Sequence, residues 1–145
     1  MNSVSARTLS TQRELPFTAA DVFAAFAVPE RLAQWWGPAG FTNTFDVFEF
    51  RTGGRWVFTM HAPDGQSYAN DSRFVALVEG EQVVVEHLCA PHFVLTIGLS
   101  ASDKGTLIRW DQVFDDEQTA AAVRAYAGEA NEQNLDRLHA VLNAV

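Results

Sequence analysis

His87, Cys89 and His92 stand in the order H-x-C-x-x-H. Imidazole and thiolate are preferred zinc ligands, and a thiol beside an imidazole is also a nucleophile with a base at hand. The spacing works against a metal. On a strand His87 and Cys89 share a face, but Ala90-Pro91 interrupts the strand before His92. Structural zinc asks for four ligands and catalytic zinc for three plus water, so no metal is expected. A free cysteine in a sheet-end loop is most often a small buried hydrophobe. His87 taken alone is a hydrogen-bond donor to a ligand or an acid–base group pointing from a strand into a pocket.

Other polar groups are sorted by face. Ile108, Trp110 and Phe114 lie on one side of a strand and Arg109 and Asp111 on the other, so the charged pair is expected to face water. Gln112 falls on the apolar side, where a buried amide must find partners. Tyr68, Asn70 and Ser72 alternate on one side of another strand, which is either a pocket wall or an outer face. Glu14, Glu49 and Glu86 are scattered and define no carboxylate pair. The chain has no glycine-rich phosphate loop, no G-x-S-x-G and no H-E-x-x-H, and no cofactor is expected.

Trp35, Trp36 and Trp56 are three of the four tryptophans. Adjacent positions on a helix do not share a direction. One of Trp35 and Trp36 is therefore expected to pack in the core while the other helps close a cavity.

Composition bounds the function. The 145 residues suit one domain, with 48% hydrophobic and 19% charged residues. Residues 1–6 read as a loose tail. The net charge of −8 argues against nucleic acid or an anionic membrane as partner. A single cysteine excludes an internal disulfide and makes a reducing compartment the default. No apolar run approaches the ~18 residues of a membrane span, and the polar Met1–Ser10 stretch lacks a signal-peptide core. A cytoplasmic location is the expectation.

The elements that must position these residues follow from period and punctuation. Thr8 to Leu15 reads as a strand stopped by Pro16. Thr18 is an N-cap with Asp21 three residues on, opening a helix whose apolar face is Val22, Phe23 and Phe26. Pro29 suits the first turn of a second short helix with Leu32, Trp35 and Trp36 on its apolar side, ended by Gly37-Pro38. The period then changes to two. Six strands are predicted, separated by Gly53-Gly54, Pro63-Asp64-Gly65, Glu79-Gly80-Glu81, Ala90-Pro91 and Asp103-Lys104-Gly105. From Glu117 the chain is proline-free and alanine-rich, which predicts one long helix of close to 28 residues. Gly128, near its middle, is expected to mark a bend or a close approach. Successive strands joined by short turns form an antiparallel meander. One helix cannot fill the concave face of a curved seven-stranded sheet, so a cavity is expected beneath it.

The segments Pro29-Glu30-Arg31-Leu32-Ala33-Gln34-Trp35-Trp36-Gly37-Pro38, Phe50-Arg51-Thr52-Gly53-Gly54-Arg55-Trp56 and Met60-His61-Ala62-Pro63-Asp64-Gly65, taken with the element order, resemble the START/Bet v 1-like (SRPBCC) superfamily. Within it the chain is similar to the branch named after the activator of Hsp90 ATPase, the AHSA1-like proteins. Gly105-Thr106-Leu107 and Asn134-Leu135-Asp136-Arg137-Leu138 fit that branch, and the likeness runs from about Ser10 to Leu142. The resemblance implies an α+β helix-grip fold, with a hydrophobic pocket between the sheet and the long helix. It implies no particular reaction.

The expected occupant is a hydrophobic or amphipathic small molecule. Its contacts are expected from Trp36, Trp56, Phe58, Met60, Tyr68 and His87, and from Phe93, Leu95, Trp110, Gln112 and Tyr126. Two alternatives stand beside this reading. One is a cyclase- or hydrolase-type enzyme using His87, Tyr68 or Gln112. The other is a chaperone- or stress-related interaction module, although the second Hsp90-binding domain of the eukaryotic co-chaperone is not expected here. A homodimer is compatible with each.

Overall fold

The computed structural model describes residues 3–144. A 3-10 turn at Ser5–Arg7 leads into β1 (Thr8–Leu15). Residues 1–6 were expected to be loose, but Ser5 and Ala6 belong to this turn. Arg7 fixes it by donating to the Phe114 carbonyl at 2.7 Å. Met1 and Asn2 lie outside the described residues.

Two short helices follow, α1 (Ala19–Ala27) and α2 (Pro29–Trp35). Thr18 caps the first by accepting from the Asp21 N–H at 3.1 Å, and Pro29 occupies the first turn of the second, where no N–H is needed. Val22, Ala25 and Phe26 are buried, and Phe23 packs edge-on against Phe50. Trp36 departs from expectation. Its backbone is extended (φ −71°, ψ 132°), so it caps α2 instead of sharing the apolar side of that helix with Leu32 and Trp35. The next residue, Gly37, has φ +97°, a conformation that side-chain-bearing residues avoid.

The remaining strands are β2 (Thr42–Phe48), β3 (Arg55–His61), β4 (Ser67–Val78), β5 (Gln82–His87), β6 (Phe93–Ser102) and β7 (Gly105–Phe114). All pairings are antiparallel, and the sheet order is β1-β7-β6-β5-β4-β3-β2. The meander thus closes on β1 at one edge, while α1 and α2 carry the chain to the opposite edge. The β2–β3 turn depends on Gly54, where a Cβ would stand 2.0 Å from the Glu49 carbonyl oxygen.

The long helix α3 (Glu117–Asn143) has 27 residues, about 40 Å at 1.5 Å per residue. Asp116 caps it by accepting from the Thr119 N–H at 2.7 Å, and these N–H bonds hold the Asp116 carboxyl below its ordinary pKa. Arg13 of β1 ties the helix down through Glu132 and Asp136 at 2.8 and 2.7 Å. Gly128 makes no close approach: nothing lies within 4 Å of where its Cβ would be.

The core is divided along α3. Toward the C-terminus Leu135, Leu138 and Leu142 pack with α1, α2 and the aromatic residues of the sheet. Toward the N-terminus Ala120, Val123 and Ala127 pack with Leu9 and Phe114. Between the two groups the helix turns short side chains inward.

Candidate functional site

A cavity of about 270 Å³ lies under the middle of α3. Its origin is a mismatch of side-chain size. Ala127, Ala130, Asn131 and Asn134 are what the middle of α3 presents there, short side chains of which Asn131 spans to the sheet at Gln112. The sheet wall is built along one transverse row. Trp56 pairs with Ser72, Ser72 with His87, His87 with Phe93 and Phe93 with Phe114, and all five line the cavity. Their alternation puts them on the concave face together. Phe58 and Asn70 form the adjacent pair, and Leu95 and Gln112 another.

The two adjacent tryptophans divide as expected. Trp35 is fully buried, meets Phe26 edge-on and donates its indole N–H to the Ala25 carbonyl at 3.0 Å. Trp36 lines the cavity, with its ring 4.9 Å from Trp56 and 5.6 Å from Trp110. Met60 and Tyr126 complete the set, and Tyr126 is 66% exposed where the cavity opens.

Tyr68 is a correction. It is 48% exposed, does not line the cavity, and donates its hydroxyl to Gln66 Oε1 at 3.1 Å. The first residues of β4 run past the cavity into solvent, so the strand's inward face becomes wall only from Asn70 onward. Arg109 is exposed and Asp111 half-buried, both away from the cavity.

Polar groups enter the wall at two places. Gln112 Oε1 accepts from Asn131 Nδ2 at 3.3 Å, a sheet-to-helix bond across the cavity. At the other place His87 is held on both nitrogens. Nδ1 donates to the Pro91 carbonyl at 2.8 Å, and Nε2 lies 2.8 Å from Asn70 Oδ1 and 3.3 Å from Cys89 Sγ. Burial pushes the His87 pKa below its ordinary value. Cys89 is half-buried and not part of the core, because the chain leaves β5 at His87.

The H-x-C-x-x-H residues do not converge. His92 turns the other way and sits between Glu86 and Asp115, at 2.7 Å from each. These carboxylates raise its pKa, while His92, followed by Arg73, lowers that of Glu86. Among the described residues no group of three or more His, Cys, Asp or Glu is placed to hold a metal, and no helix is long and apolar enough to cross a membrane.

The family model of the Activator of Hsp90 ATPase homolog 1-like proteins matches residues 16–143. The chain belongs to this family. Solved structures share its fold. A protein from Nitrosomonas europaea superposes with a TM-score of 0.88 at 16% identity, covering 99% of each chain. One from Arthrobacter aurescens gives 0.88 at 20% identity, over 100% of this chain and 91% of that one. One from Chromobacterium violaceum gives 0.81 at 27% identity, over 92% and 96%. No curated protein matches the chain.

On this family's helix-grip frame, sequence reasoning reached the helix side of the site only at Tyr126. Ala127, Ala130 and Asn134 follow one another at helical spacing on the cavity side of α3. The legible signal was their size: small or amide side chains at successive inward positions of a helix leave space facing them. Asn134 is 6% exposed, donates to the Trp35 carbonyl at 2.8 Å and accepts from the Gly37 N–H at 3.3 Å. It joins the helix to the segment that carries Trp36.

Proposed function

We propose that this protein binds a small hydrophobic or amphipathic molecule between the sheet and α3. The observation that carries the reading is the single aromatic wall facing short helix side chains. Trp36, Trp56, Phe58, Phe93 and Trp110 all line the cavity. Binding sites of this kind are mainly apolar, with a few polar groups that orient the ligand. At about 270 Å³ the space suits a molecule smaller than a typical drug. Gln112 with Asn131, and His87 with Asn70, supply two places for a polar end.

Tryptophan fluorescence tests this directly, because three of the four tryptophans line the cavity. Titration with decanoic acid and with 1-octanol should give saturable changes in emission. Trp110→Ala and Leu95→Trp, one emptying and one filling the space, should each weaken the response. Unchanged binding in Leu95→Trp would remove the cavity as the site.

The family name supports a second reading, a module acting with Hsp90. Stimulation of Hsp90 ATPase activity by the purified chain is its measurement. A cytoplasmic location is part of both readings.

A further inference from the structure

We propose that Cys89 and His87 form a nucleophile–base pair beside the cavity, a modification site for soft carbon electrophiles of the α,β-unsaturated ketone class. The Pro91 carbonyl can only accept, so it fixes a proton on His87 Nδ1. Asn70 Nδ2 donates to the Tyr68 carbonyl at 3.0 Å, which turns the amide oxygen toward His87 Nε2. Both ring nitrogens therefore face acceptors. A neutral imidazole satisfies one of them and an imidazolium satisfies both.

The proton nearest to Nε2 is that of the Cys89 thiol, whose sulfur is 3.3 Å away. Its transfer creates the second N–H beside Asn70 Oδ1 and leaves a thiolate as counter-ion. Burial penalises an imidazolium that takes its proton from solvent and arrives alone. The internal transfer brings its own partner. A nucleophile, a base within reach and a third group orienting the base is the arrangement that activates thiols.

A second observation points to a ligand on the cavity side of His87, the member of the pair that lines the cavity. Ser72, the cross-strand neighbour of His87, is 2% exposed and on the cavity wall. Its hydroxyl has no protein hydrogen-bond partner among the described residues. A buried hydroxyl left open is a donor for the carbonyl oxygen of a bound ketone. In the reaction the thiol proton passes to Nε2 and sulfur forms a bond to the β-carbon. The C=C π pair moves toward the carbonyl as an enolate, and the α-carbon takes the proton back from Nε2. The product is a thioether, with nothing oxidised or reduced.

The chain has one cysteine, so intact mass reports Cys89 directly. The probes are 1-octen-3-one and methyl vinyl ketone at pH 7, each added to the folded protein and to the protein unfolded in urea. A free thiol is roughly 3% ionised at that pH. A larger thiolate fraction, offset by the lower nucleophilicity of a more acidic thiol, gives about a threefold faster reaction when folded. His87→Gln, with folding checked by its thermal melt, should fall to the unfolded rate, and Cys89→Ser should take up no adduct. The proposal is overturned if the folded chain reacts no faster than the unfolded one with either enone. It is also overturned if His87→Gln matches the parent, or if Cys89→Ser is modified at the parent's rate. Equal acceleration with both enones supports the pair and counts against the apolar cavity. A preference for 1-octen-3-one supports both.

Discussion

Arg137 Nη1 donates to the Trp36 carbonyl oxygen at 3.1 Å. The same guanidinium reaches the carbonyls of Gly37 and Pro38 at 3.0 and 2.9 Å, and those of Gln34 and Phe41 at 2.7 and 2.8 Å. No carboxylate pairs with it among the described residues. The last carbonyls of α2 and the turn after it serve as its counter-charge, as expected at the negative end of a helix. Burial alone pushes the Arg137 pKa down from its ordinary value. One side chain of α3 thereby fixes the segment that hangs Trp36 over the cavity.

Arg137→Ala removes a donor from five carbonyls, of which Trp36 and Pro38 keep another from Asn43 and from the Phe41 N–H. The expected loss is about 3 kcal/mol in urea unfolding, since bonds from a charged donor are worth roughly 1.5–3 kcal/mol each and water replaces some of them. Arg137→Lys should recover less than half, because an ammonium cannot span the fork. Ligand affinity should fall in both variants even where the protein remains folded.

Trp35 and Trp36 should respond differently to truncation. Trp35→Ala removes a fully buried ring and is expected to cost about 3–5 kcal/mol. Trp36→Ala opens the cavity wall and should cost less than half as much while changing the ligands that bind. Chemical denaturation with the fluorescence titration separates the two effects.

Gly54 and Gly128 mark opposite cases. Gly54→Ala places a methyl against the Glu49 carbonyl and should destabilise by more than about 3 kcal/mol, or prevent folding. Gly128→Ala meets open space within a helix and should stabilise by about 0.5–1 kcal/mol. Thermal melts of the two variants are the check.

The His92 cluster predicts two pH limbs. The raised pKa of His92 means its contribution is full below the ordinary value of 6.5 and is lost as pH rises through the higher folded value. The lowered pKa of Glu86 means its contribution is present above the ordinary 4.5 and is lost as pH falls through the lower folded value. Melting temperature plotted against pH should therefore decline on both sides of a maximum near pH 5–6. His92→Gln should remove the alkaline limb and weaken the acid one, leaving the part that Arg73 supplies.

The sequence by itself determined the order and hand-off of the elements. Alternation in Phe93, Leu95, Ile97 and Leu99, turn residues at Pro63-Asp64-Gly65 and the cap at Thr18 are local signals, and local backbone chemistry reads them without help. It also placed most of the aromatic wall, because side-chain direction on a strand follows from parity alone. The tertiary structure decided what depends on where elements end and what lies opposite. Tyr68 has the right parity but stands beyond the cavity. Trp36 leaves its helix because Gly37 turns and Arg137 holds the carbonyls. His87, Asn70, Cys89 and Pro91 meet through strand pairing and a loop reversal, contacts between residues up to 17 positions apart that no local period encodes.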